Sequence, residues 1–151
     1  MKSLIGITIL TIGLLTVAGV RESSAQIDTA IDFTTTFPFM VGNTTLPAGN
    51  YSIAPVDDEE QTLELKGGKT AVLFMTESAQ AKDLPAKSEI VFRKYGNQYV
   101  LKNIWVEGTQ AGFATEKSVG ERHLAKSDAA PTESRVAARK SAKKTTTKGT
   151  K

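Results

Sequence analysis

With one histidine, no cysteine and one tryptophan among 151 residues, the chain has few ways to build a reactive centre. Metal sites need several converging ligands, and His123 has no partner at ligand spacing, so it reads as a surface residue. The absence of cysteine removes thiolate ligands, thiol nucleophiles and disulfides together. No G-x-S-x-G turn is present, and a Ser–His pair would have to use His123. The run Asp57-Asp58-Glu59-Glu60 lacks the spaced oxygens and central glycine of a calcium loop, and reads as a solvated turn. Nothing singles out a carboxylate pair at glycosidase separation. Gly67-Gly68-Lys69 fits a hairpin turn better than a phosphate loop. The residues therefore name no catalytic group, no metal ligand and no cofactor. What remains is aromatic: Tyr95, Tyr99 and Trp105. Such side chains fill the core of a small domain or line a ligand pocket, and Tyr99 and Trp105 are the candidate ligand-facing pair.

The elements that position them read as strands. From Ile27 to Val41 the chain alternates: Ile27, Ile31, Phe33, Phe37, Phe39 and Val41 are odd-numbered, while Asp28, Asp32, Thr34 and Thr36 are even, so one face is apolar and the other wet. Pro38 cannot donate a ladder hydrogen bond and marks an edge, a bulge or a bend. Gly42-Asn43 ends that strand, a loop follows, Leu46-Pro47-Ala48-Gly49 turns the chain, and Tyr51 and Ile53 resume the alternation. A hairpin about Gly67-Gly68 sets Leu63 opposite Val72 and Leu65 opposite Thr70. Its second strand, 71–75, is apolar on both faces and belongs inside a sheet. Residues 76–88 show no period and read as a loop. A second hairpin about Gly96-Asn97 sets Phe92 opposite Leu101 and Lys94 opposite Tyr99, with Ile90, Phe92, Tyr99, Leu101 and Trp105 on one face. The other face, with Val91, Arg93, Val100, Lys102 and Ile104, is half apolar and calls for a cover. Phe113–Glu116 suits a last short strand. Ser118-Val-Gly-Glu121 is a capping box opening a helix to about Lys126, docked through Leu124.

The ends differ from the middle. Lys2, an uncharged apolar run over 4–20 and the small residues Ser23 and Ala25 match the three parts of a secretory signal, with cleavage between Ala25 and Gln26. Residues 26–126 carry 10 basic and 13 acidic side chains, whereas 127–151 carry seven basic and two acidic, so the positive balance sits in the tail. That tail has no aromatic residue and reads as disordered. A basic arm suits anionic polymers or a membrane surface. For an exported protein nucleic acid is a poor partner.

Pro38 to Tyr51, PF-x-VGN-x-x-LPAG-x-Y, and Phe92 to Trp105, F-x-x-YG-x-QY-x-L-x-x-x-W, together resemble a family of small exported proteins of unknown function from acidobacterial-type genomes. The resemblance covers residues 26–126 in the same order and excludes the basic tail. It implies export and a β-rich fold, and brings no activity and no catalytic residues.

These observations predict a signal peptide (1–25), an all-β domain (26–126) and a disordered basic tail (127–151). The domain is an antiparallel sandwich or small barrel of about six to eight strands with a short C-terminal helix. The function expected is that of a non-catalytic periplasmic or secreted domain that binds or builds the envelope, its partner an envelope component. The alternatives are a barrel holding a small molecule against Tyr99 and Trp105, and a hydrolase, which no motif supports.

Overall fold

The computed structural model describes residues 30–56, 59–127 and 130–141. The signal segment with Ala25 and Gln26, Ile27 and Asp28 of the alternating run, and Asp57 and Asp58 of the acidic run lie outside the described residues. In chain order the elements are β1 (Ile31–Thr35), β2 (Phe39–Val41), β3 (Thr44–Leu46), β4 (Gly49–Val56), β5 (Glu59–Gly67), β6 (Thr70–Gln80), β7 (Glu89–Tyr95), β8 (Gln98–Trp105), β9 (Ala111–Thr115), α1 (Val119–Ser127) and β10 (Thr132–Lys140).

Eight strands close into an antiparallel barrel in the order β8-β7-β10-β1-β4-β5-β6-β9, with β9 returning to β8. Closure satisfies the backbone groups that an open sheet would leave at its edges. The short β2–β3 hairpin stands outside this ring, with β2 running parallel to the first half of β8. The break expected at Pro38 falls between β1 and β2, and residues 44–46 form a strand where the sequence reads as a loop running into a turn. An eight-stranded barrel is just wide enough for its own side chains to fill it. Here Ile31, Phe33, Ile53, Leu63, Leu65, Ile90, Phe92, Leu101 and Ile104 are buried together. Phe39 reaches in from β2, its ring 5.1 Å from Tyr51, 5.3 Å from Phe92 and 6.1 Å from Phe33. Phe37, in the bend, stacks on Tyr99 at 3.8 Å and meets Phe92 edge-on at 5.4 Å.

Both hairpins form. The second has the expected register, Phe92 opposite Leu101 and Lys94 opposite Tyr99, with Gly96 at φ +55° in the turn. The first is displaced by two residues: Leu63 faces Phe74, Leu65 faces Val72, and the turn is Gly68-Lys69 with Gly68 at φ +57°. A shift of two keeps every side chain on its face. Gly67 has a different task. The Tyr51 ring lies over it, where a Cβ would collide with the ring carbons, and the Tyr51 hydroxyl donates to the Pro47 carbonyl at 2.6 Å. The expected loop from Thr76 is shorter than read. Strand β6 runs on to Gln80, because Thr76, Ser78 and Gln80 find Thr115, Phe113 and Ala111 on β9. Leu73 and Met75 lie on its outer face, 62% and 72% exposed.

The main correction concerns the tail. Residues 132–140 are a strand between β7 and β1, so the barrel extends past 126. Val136 pairs with Ile90, and Ala138 with Phe33, all turned inward. The remainder, 142–151, lies outside the described residues. The helix accordingly precedes the last strand. No helix among the described residues is long and apolar enough to cross a membrane.

Candidate functional site

Three polar groups meet beneath the helix. Glu121 is fully buried, and Arg93 Nη1 donates to its two carboxylate oxygens at 2.8 and 3.0 Å. The Tyr95 hydroxyl donates to the same carboxylate at 2.9 Å. Burial, then the hydrogen bond and charge of Glu121, push the Tyr95 phenol above its ordinary value. Half of the expected capping box forms: the Glu121 amide donates to Ser118 Oγ at 3.1 Å. The glutamate side chain turns inward to Arg93 instead of reaching back. Gly120 lies over Met40 and donates its amide to Asn43 Oδ1 at 3.3 Å. Arg93, Val100 and Met40 form one cross-strand row, so the helix is the cover that the half-apolar second face calls for. The Glu121 carboxylate is taken up by Arg93 and Tyr95, and no buried side-chain polar atom of this cluster lacks a partner, which makes it a clamp.

The two candidate ligand-facing residues do not share a face. Strand β8 pairs Phe92 with Leu101 but Val91 with Asn103, so Lys102 is an extra residue and the alternation reverses across it. Tyr99 and Leu101 point inward before this bulge. Ile104 is the inward residue after it, fully buried, and Trp105 turns out. Tyr99 is half-buried against Phe37, with the Lys94 ammonium 5.4 Å from its ring centre. Trp105 sits at the other end of the strand on the outer wall. A bulge is invisible to alternation where residues on both sides are apolar, as they are here.

Trp105 is partly exposed, and its cross-strand row explains why. The row reads Ala137, Glu89, Trp105, Gly112, Ala79 across β10, β7, β8, β9 and β6. Small residues leave space around the indole, and Gly112 lies directly beneath it, where a Cβ would collide with the ring and sit 2.7 Å from the Ile104 carbonyl oxygen. The segment 81–88 rises beside this row. It is held by Ala81 N–H to the Gln110 carbonyl at 2.7 Å and Gly108 N–H to the Pro85 carbonyl at 3.2 Å. Together they enclose a pocket of about 350 Å³ lined by Trp105, Leu84, Pro85, Lys87, Glu89 and Arg135. That volume lies within the range of about 300–1,000 Å³ usual for ligand sites.

A second, open depression of about 880 Å³ continues along β10 across β1, β4 and β5. Its outer row is Arg139, Asp32, Ser52 and Lys66, and Thr34 Oγ1 donates to Asn50 Oδ1 at 2.6 Å beside it. Strand β10 borders both depressions. It is tied down by Arg135 to Glu89 at 3.1 Å and to Glu133 at 3.4 Å, and by Lys102 to Glu133. The Lys102 hydrogen bond holds the Glu133 carboxyl below its ordinary value.

His123 is exposed on α1, and among the described residues no three His, Cys, Asp or Glu side chains gather as a metal site. Neither a family model, nor a curated protein, nor a solved structure matches this chain.

Proposed function

We propose that this chain is an exported, non-catalytic β-barrel that works by binding, through its outer wall, to a component of the cell envelope. The observation that carries this reading is the division between inside and outside. The barrel interior is occupied by its own aromatic and aliphatic side chains, whereas the outer wall holds two neighbouring depressions lined by polar and charged side chains, with a partly exposed indole. The lining of the two depressions includes no histidine, and Glu89 and Arg135 are already paired with each other, which favours recognition over turnover. The alternative of a ligand held inside the barrel has less support, because Tyr99 is stacked on Phe37. The basic residues after Ser141 supply a second contact, to anionic polymers or a membrane surface.

The test is a pull-down from envelope extract at low and high salt, with the chain ending at Lys151 or at Ser141. A partner retained at high salt without the last ten residues supports recognition by the barrel. A partner lost with either change assigns binding to the basic end and refutes the outer-wall reading.

A further inference from the structure

We infer that the pocket around Trp105 and the depression continuing along β10 form a track for a neutral, hydroxyl-rich polysaccharide chain. The inference rests on the outer-wall reading and names its ligand class.

Charge comes first. Around the pocket stand Lys82, Lys87 and Arg135, against Asp83 and Glu89, with Glu133 beyond them shared between Arg135 and Lys102. Around the open depression stand Arg139 and Lys66, against Asp32 and the Lys66-bound Glu64. With the ion-pair partners of the lining side chains included, cations exceed carboxylates by one at the pocket and equal them at the open depression, so a polyanion meets only a weak attracting field, and screening over about 8 Å removes what remains at distance. A ligand whose groups each donate and accept suits such a wall. Carboxylates of Asp32 and Glu89 accept from hydroxyls, the cations donate to them, and Thr34, Asn50 and Ser52 do either.

Shape comes second. Trp105 offers a flat apolar surface flanked in its row by Glu89, Gly112 and the small Ala137 and Ala79. A pyranose ring has one comparably flat carbon-bound face, with its hydroxyls at the rim. Placed on the indole, that rim reaches Glu89 and Arg135, which are already paired and oriented. Length comes third. Arg135 borders the pocket and Arg139 the open depression, about 13 Å apart on one strand face at about 3.3 Å per residue. Ala137 between them is low. A single sugar would occupy the pocket alone, whereas the continuation fits a chain.

Trp105 is the one tryptophan of the chain, so intrinsic fluorescence reports on this site. The full chain is titrated with soluble neutral glucans, mannans and xylans, and in parallel with a polyuronate, polyphosphate and anionic vesicles. Mobility is also measured in native gels cast with each polymer. The expected result is a fluorescence shift and retardation with at least one neutral polysaccharide, unchanged at high salt. Trp105→Ala should weaken it roughly 30-fold, the usual scale for removing a central aromatic anchor. Trp105→Phe, which keeps the packing on Gly112, should weaken it less, and Arg135→Ala should weaken it with the indole intact. Circular dichroism checks that each variant is folded. Response to none of the neutral polymers, or equal affinity in folded Trp105→Ala and Arg135→Ala, overturns the inference. A Trp105-dependent shift with vesicles or polyanions alone refutes the glycan and leaves the outer-wall reading standing. No Trp105-dependent shift with any probe, and no salt-resistant envelope partner, refutes both.

Discussion

Replacing Glu121 by alanine tests the clamp beneath the helix. The perturbation removes a carboxylate that is fully buried and accepts three hydrogen bonds, two from Arg93 and one from Tyr95. The Arg93 side chain, 14% exposed, is left largely out of water with its charge unmatched. Breaking a buried pair from one side costs about 3–5 kcal/mol. The partial exposure of Arg93 lets water reach the guanidinium and places the expectation at about 3 kcal/mol, the lower end of that range. For a domain of this size that lowers the melting temperature by about 10–15 °C. Glu121→Gln keeps an acceptor for Tyr95 and should cost less, about 1–3 kcal/mol. The assay is urea denaturation followed by circular dichroism, run as a double-mutant cycle with Arg93→Ala. The expected coupling is about 1.5–3 kcal/mol, since the residues touch. Arg93→Met with Glu121→Leu and Tyr95→Phe should recover most of the loss, because apolar groups replacing all three partners leave no buried polar group uncompensated. Coupling within about 0.5 kcal/mol of zero, with a normal transition in Glu121→Ala, would show that the helix is held by something else.

Four further outcomes follow from the same contacts. Ending the chain at Pro131 exposes the edges of β7 and β1 and should give an aggregating product without a cooperative urea transition, whereas ending it at Ser141 should leave the transition midpoint unchanged. Tyr95 holds its proton more tightly folded than unfolded, so its contribution is fully present below the ordinary value of 10.0 and is lost as pH rises through the higher folded value. Absorbance at the phenolate band should therefore show Tyr95 ionising late and together with unfolding, and Tyr95→Phe should remove that component. Gly112→Ala forces the Trp105 ring off β9 and crowds the Ile104 carbonyl oxygen across the β8–β9 pair, so the emission spectrum should move and the urea midpoint should fall. Thr35 Oγ1 is buried with no partner among the described residues, so Thr35→Val should be neutral or stabilising in thermal melts.

How much was legible depended on whether the deciding contact was local. The Gly96-Asn97 hairpin was readable in register because its turn residues and its facing pairs lie within one short window. At Gly67-Gly68 two adjacent glycines offered two turns. The pairing puts Gly68-Lys69 in the turn and leaves Gly67 in the strand, where the ring of Tyr51, distant in sequence, lies over it and excludes a side chain. Glu121 was legible as a capping residue because a capping box is local. Its actual partners, Arg93 and Tyr95, come from another hairpin. Trp105 was found as a candidate by residue type, but its face was misassigned because Lys102 is an added residue that only the pairing of β7 with β8 reveals.

Strand β10 makes the same point about composition. Taken alone, TESRVAARK has one large aliphatic residue and cannot offset its own ordering entropy, which is why it reads as a disordered tail. In the barrel it need not do so alone. Its two neighbours are already strands, so the backbone groups of β7 and β1 lose their unpaired state when it enters, and its own are paired at the same time. The inward residues Ser134 and Ala138 are small beside Phe92 and Phe33, and Val136 lies beside Ile90, so the bulk on that side of the interior comes from the neighbouring strands. A larger residue at Ala138 would have to displace Phe33 and the ring contacts it makes with Phe39 and Tyr51. The weak apolar content that suggested disorder is thus what a closing strand requires when its two neighbours carry the aromatic bulk. The same strand carries Arg135 and Arg139 outward, so closing the barrel also sets the two outer depressions side by side.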